Sequence, residues 1–248
     1  MMTDVLVVMS KEIREFLLQR GESRRSGWVN ILVVLGLLGV YMPVMSKAEW
    51  LTNPMVSLSW SWLPIFLTSA MITDSFAGER ERHTLETLLA SRLSDQAILF
   101  GKILAAVVYA CGLTLASLLL GAVTVNVITW GEGLRFYALM PFVGAMLLMV
   151  LAALLMSSVG VLVSLRSATV RSAYQKLSLA IMALWVVPML VLQFLPKGTI
   201  AGWMDSLAGM QINLGWVMLG VGLVLAVIDA VLLAVARARF QRSRLILD

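Results

Sequence analysis

The chain has 248 residues, a formal net charge of +5 and a mean hydropathy of +0.92; 60% of it is hydrophobic and 13% charged. Soluble domains run to about 45–50% apolar and about 25% charged residues, so the composition excludes a soluble globular fold. One cysteine, Cys111, lies inside an apolar run, which excludes an internal disulfide framework and reads as a small buried residue.

Positions 3–21 set Val5, Met9, Ile13, Phe16 and Leu17 along one helical stripe, with Lys11, Glu12, Arg14, Glu15 and Arg20 on the other faces. The pattern predicts an amphipathic helix lying in the membrane interface, apolar side down; the alternative is a cytoplasmic extension of the first span. Roughly 27 mixed-charge residues precede the first apolar run, which argues against a signal peptide, although Ser46-Lys47-Ala48 makes a weak cleavage-like pattern after it.

Six apolar segments follow, near 28–45, 56–76, 97–129, 138–165, 177–195 and 214–236. Crossing the hydrocarbon core takes about 20 apolar residues, so the reading is an all-α, polytopic membrane protein with six transmembrane helices. Trp60 and Trp62 stand near the start of the second span, with Pro64 in its first turns. The third is long enough to project from the bilayer, with Ser94 as N-cap and Asp95 favourable against the helix dipole. Pro188 is expected to kink the fifth. Trp203, Met204 and Leu207 predict a brief helix on the outer leaflet. There is no internal repeat and no low-complexity linker, so residues 1–248 read as one domain.

Six spans put both termini on one side. If that side is the cytoplasm, 16 of the 19 basic residues lie there, and only Lys47, Arg135 and Lys197 fall outside. The positive-inside rule therefore predicts cytoplasmic termini, and the basic balance records topology rather than a nucleic-acid partner. Trp50, Trp60, Trp62, Trp130, Trp203 and Trp216 fall near the predicted outer interface, as an aromatic belt would.

Between the second and third spans lies Asp74 to Lys102, the densest charged segment, with five of the 14 acidic residues. Leu85, Leu88, Leu89 and Leu93 recur there at helical spacing, and Glu79, Arg80, Glu81, Arg82 and Glu86 are expected to place charges on the remaining surface. The pattern predicts a short amphipathic helix within 77–93 that meets something outside the membrane. The bland alternative is a solvated, helix-supporting set of charges.

The run Ala77-Gly78-Glu79-Arg80-Glu81-Arg82-His83-Thr84-Leu85-Glu86-Thr87-Leu88-Leu89, followed by Leu93-Ser94 and Ile98-Leu99-Phe100-Gly101-Lys102, resembles the first cytoplasmic loop of type-2 ABC transporter permeases. The rest of the chain matches that family in layout rather than in motif. The resemblance implies a coupling helix that docks on a separate ATPase subunit, through Glu79, Glu81, Leu85, Glu86, Leu88 and Leu89. Reversing Glu79 and Glu81 together, or Leu88→Asp, would then uncouple hydrolysis from transport while leaving membrane insertion intact. His83 stands where many members have glycine. The resemblance also implies two permeases, identical or related, joined to two cytoplasmic ATPase subunits that bind ATP and Mg. The substrate path would run between the permeases, most often for export.

No G-x-x-x-x-G-K-[ST] loop is present: Gly101-Lys102 is followed by Ile103, and Gln96 stands where the first glycine belongs, so pumping needs a separate motor. His83 is the only histidine, which excludes H-E-x-x-H metal chemistry, and no G-x-S-x-G elbow appears. No cofactor is expected in this chain, which is read as a non-enzyme. Within the lipid Asp229 stands out, about two turns from Arg237. It reads as one side of a salt bridge or a carboxyl near the inner interface, or else as a residue of the substrate path or a proton sensor. Asp74 reads as a boundary residue, Asn126 as satisfied by water at the outer end of its span, and Ala153, Ser157, Ser158 and Gly160 as close-packing positions. Two other classes compete with the permease. A membrane scaffold would show no ATP-dependent flux. An intramembrane protease using Glu79 and Glu81 would need no ATPase.

Overall fold

A computed structural model describes residues 1–18, 25–84, 88, 90–194 and 214–240, and the statements below concern these residues. They form helices and no strand. Helix α1 spans Met2–Leu18; α2 (Arg25–Val34) passes without a break through a π-helical stretch (Leu35–Tyr41) into α3 (Met42–Ser46). Two short helices, α4 (Glu49–Thr52) and α5 (Pro54–Trp60), precede α6 (Leu63–Glu81). The long helices α7 (Asp95–Ile128), α8 (Leu139–Leu165), α9 (Val170–Phe194) and α10 (Leu214–Arg239) complete the bundle.

Five segments are long and apolar enough to cross a membrane: Pro54–Glu81, Asp95–Ile128, Leu139–Leu165, Val170–Val191 and Gly215–Arg239. The expected first span, 28–45, falls in the shorter apolar helix Ile31–Ser46, so five rather than six segments meet that standard. The expected second span is not one uninterrupted helix, because a turn at Ser61 and Trp62 separates α5 from α6. Pro64 accounts for the break: its ring conflicts with a helical carbonyl four residues back, at Trp60, where α5 stops. Helix α7 starts as its sequence predicts, with the Ser94 hydroxyl accepting from the Ala97 amide at 3.2 Å. Its 34 residues reach about 50 Å, well beyond the hydrocarbon thickness. Helix α9 continues through position 188. The expected outer helix near Trp203 lies outside the described residues.

The core forms where α8 meets α6 and α10 and where α7 meets α1 and α6. Gly160 of α8 faces the Ile72 side chain so closely that any Cβ would collide with it. The Ser164 hydroxyl donates to the Thr73 carbonyl (3.2 Å) and accepts from the Phe76 and Ala77 amides (3.3 and 2.9 Å), fastening α8 to α6. Ala153, Ser157 and Ser158 are fully buried, as close helix packing requires.

Three expectations are corrected. Helix α1 does not turn its apolar stripe to lipid: Val8 is 2% exposed, and Met9, Ile13 and Phe16 pack against the protein core. It runs alongside α7 in the same direction, with Val8 at Gly101 and Phe16 edge-on to Tyr109 at 5.0 Å. Trp50 is likewise withdrawn from the aromatic belt. It is 3% exposed, and its indole donates to the Tyr137 hydroxyl (2.9 Å), which donates onward to the Leu118 carbonyl (3.0 Å). Burial pushes the Tyr137 phenol up to about 12, so it keeps its proton for that bond. Asn126 is satisfied by protein rather than water, since its amide brackets the Arg135 backbone through two 2.8 Å bonds.

Candidate functional site

The charged run at the end of α6 sends each of its four side chains to a different place. Glu79 turns inward and is 6% exposed, and its Oε1 accepts from Lys102 Nζ at 2.9 Å. Lys102, fully buried on α7, also donates to Glu12 Oε1 of α1 (2.7 Å) and to the Ser75 carbonyl (2.8 Å). Its ammonium lies 5.0 Å from the Phe76 ring centroid. All three of its hydrogens have acceptors, and two carboxylates balance its charge, which is what permits a lysine to be buried there. Lys11 approaches Glu79 Oε1 to 3.8 Å, while Glu79 Oε2 has no hydrogen-bond partner among the described residues.

Arg80 reaches the far end of α8 and donates to the Leu165 and Ser167 carbonyls at 3.0 and 2.9 Å, where a helix presents unsatisfied acceptors and a negative dipole end. Glu81 does the complementary thing for α9: its Oε2 accepts from the amide of Val170, the first residue of that helix, at 3.0 Å. Arg82 turns back along its own helix to both oxygens of Asp74, at 3.0 and 3.1 Å. One turn of sequence thus ties together the neighbouring ends of α1, α7, α8 and α9.

Helix α6 ends in a Schellman motif. The Thr84 amide donates to the Glu79 carbonyl (2.8 Å) and the His83 amide to the Arg80 carbonyl (3.1 Å), with His83 at φ +57. That left-handed position is one glycine fills without penalty, which gives the histidine found here a physical cost. His83→Gly is expected to stabilise the protein by about 0.5–1 kcal/mol, read as a higher melting temperature in detergent. An unchanged or lower midpoint would show that the histidine side chain offsets the strain.

Several predicted residues stand elsewhere than expected. Ala77 to Glu81 belong to α6 and not to a separate loop helix. Glu79 is a buried structural charge and not a surface one, because Lys102 lies on the adjoining helix. Reversing Glu79 would place a cation beside buried Lys102, so the clean uncoupling expected of that substitution no longer follows. Leu88 and Leu93 are partly buried against the core, and the Leu88 amide donates to the Thr84 carbonyl at 3.0 Å. Leu85, Glu86 and Leu89 lie outside the described residues. Asp229 is 3% exposed, and among the described residues neither of its oxygens meets a hydrogen-bond partner or a cation. Arg237 instead faces Gln96, whose side-chain oxygen, with the amide turned to suit, accepts from it at 2.9 Å.

Sequence reasoning named Lys102 and Glu12 but missed their pairing inside the bundle. A signal was present for Glu12, which sits three and four residues after Met9 and Val8, on the face that packs against α7. An acid on an apolar stripe calls for a buried cation.

Among the described residues, five apolar segments long enough to cross a bilayer, tied at one end by a knot of charges, define an integral membrane protein. The family described as "ABC-2 family transporter protein" matches residues 62–229, well over half of the chain, and the chain belongs to that family. It is a membrane permease component of an ABC transporter, and membership of that family implies partnering with an ABC ATPase subunit. No curated protein matches the chain closely enough to count as a relative.

Proposed function

We propose that this chain is the export permease of a prokaryotic inner-membrane ABC transporter. In this reading two permeases, identical or related, pair in the membrane and engage two cytoplasmic ATPase subunits, which bind ATP and Mg. The segment after α6 receives the ATPase, with Leu88 and its neighbours Leu85, Glu86 and Leu89 at the contact. The observation that carries the reading is the charge knot. Because Glu79, Arg80 and Glu81 reach α1, α7, α8 and α9, a displacement of the segment that follows is passed to four helices at once. The concentration of basic residues at that end supports a cytoplasmic placement of both termini. The unbroken helical path from Arg25 to Ser46, about 33 Å long, supports a sixth crossing.

The test is a mild-detergent pull-down of the tagged chain from cells that express its genomic neighbours, followed by an ATPase assay on the eluate. A nucleotide-binding subunit is expected in the wild-type eluate and at least tenfold less of it with Leu88→Asp, at equal yield of the permease. Because Leu88 also touches the core, the variant must elute at the wild-type position. Equal recovery of the ATPase by both would refute the docking role.

A further inference from the structure

Among the described residues α10 packs chiefly on α8. Gly144 lies against Met218, and Gly222 lies against Leu147 and Leu151, so the two helices run in the same direction in a fixed register. A glycine at each point brings the backbones close. Carried seven residues further along each helix, about 10 Å, that register sets Asp229 opposite Leu154 and Ser158. Asp229 is 3% exposed and Ser158 is fully buried, so both are shut inside the seam. Neither oxygen of Asp229, nor the Ser158 hydroxyl, has a hydrogen-bond partner among the described residues. The nearby cations are engaged elsewhere: Lys102 gives its hydrogens to Glu12, Glu79 and Ser75, and Arg237 is turned to Gln96.

Buried hydroxyls elsewhere in the bundle are satisfied. Thr114 and Ser117, for example, each donate to a carbonyl one turn back at 2.8 Å. A carboxylate shut away with neither donor nor cation loses its hydration without replacement, so this packing is disfavoured against any that returns the group to water. The seam is also built to part from one end. At the end remote from the charge knot an apolar groove of about 630 Å3 already separates the two helices, lined by Met140, Val143, Leu147, Trp216 and Leu219. Leu223, Val227 and Val231 of α10 stand exposed, so no described residue covers that side of the helix. The other end is fastened: Ala236 is fully buried, and Phe240 packs on Phe76 with ring centroids 5.1 Å apart.

We propose that α10 pivots away from α8 about its fastened end, opening the seam from the groove down to Asp229 and bringing that carboxylate to water. The packing described above is then the closed one of two arrangements, held by apolar contact and opposed by the buried charge. Because these two act against each other, a small bias is enough to shift the balance between them. An unmet carboxylate at a helix seam is thus a built-in opening device, and removing its charge locks the helix shut. The device belongs to the permease alone and holds whether or not an ATPase docks at Leu88.

The test places one thiol at a time in the full-length chain, reconstituted in lipid nanodiscs, with the sole native cysteine removed by Cys111→Ser. Ser158→Cys reports on the seam. Ser157→Cys is the control: that position is equally buried, but it shares the α6-facing side of α8 with Gly160 and Ser164. Both are treated with a neutral, water-soluble methanethiosulfonate, which reacts with the thiolate and so reports where water reaches. Ser158→Cys is expected to react at least tenfold faster than Ser157→Cys. Adding Asp229→Leu should bring its rate down to that of the control and raise the melting temperature. Should that variant fail to fold, Asp229→Asn, nearly equal in shape, is expected to slow the reaction severalfold. Equal rates for the two thiols, a Ser158→Cys rate indifferent to the Asp229 variants, or a folded Asp229→Leu that melts no higher than its parent overturns the proposal.

Discussion

Lys102→Met is expected to destabilise the protein by about 3–5 kcal/mol, because it leaves the buried Glu79 and the partly buried Glu12 without the lysine that they share. Methionine nearly matches the lysine stem in volume, so the loss comes from charge and hydrogen bonding rather than from a cavity. The informative comparison is the triple variant Lys102→Met/Glu79→Gln/Glu12→Gln. Replacing a whole buried ion cluster by neutral groups is often near neutral, so the triple should recover most of the lost stability. Melting temperatures in detergent for the single, the triple and the wild type decide the matter. If the single variant melts with the wild type, the cluster contributes little; if the triple melts with the single, the loss is one of packing.

Gly101→Leu should release α1 from the bundle. A Cβ at this position would stand 2.6 Å from the Val8 Cβ and 3.1 Å from the Val5 carbonyl oxygen, so two helix backbones meet where only glycine fits. Neither helix can yield locally, because Val8 is itself buried on the α7 side of α1. Overpacking of this kind costs about 1–3 kcal/mol, and here it falls on a single interface. Helix α1 is therefore expected to become sensitive to limited proteolysis, with cleavage near Lys11 and Arg14, while the rest of the chain remains resistant. Wild-type resistance of α1 in this variant would mean that it can shift along α7 without detaching. Because Lys102 and Gly101 hold α1 by charge and by fit at adjacent positions, their substitutions should not combine additively.

The glycine-lysine pair shows why one part of the site was legible and another was not. Gly101 and Lys102 stood out in the sequence as a motif, yet spacing could not reveal that one is the bed for Val8 and the other the counter-ion of Glu12 and Glu79. Those partners lie 90 and 23 positions away. Periodicity correctly marked the helical stripe of α1 but could not tell lipid from a neighbouring helix as its cover, since both are apolar. The break between α5 and α6 could have been read, because Pro64 forbids a helix through Trp60. His83 was noticed as unusual, and only its φ of +57 gives the reason.

The sequence by itself determined that the protein lives in a membrane, that it is helical, and, to within a few residues, where α7, α8 and α10 run. Those properties follow from local composition and from the lengths of apolar runs set against a bilayer of nearly constant thickness. Only the tertiary structure decided which charges face solvent and which are shut inside. Glu79 and Glu81 are chemically alike and two residues apart, but a helical step of about 200° separates their directions. One therefore meets Lys102 in the core and the other the amide end of α9. Whether a carboxylate is a surface charge or a buried strut depends on what the neighbouring helices bring to it, and that pairing is a property of the packed bundle.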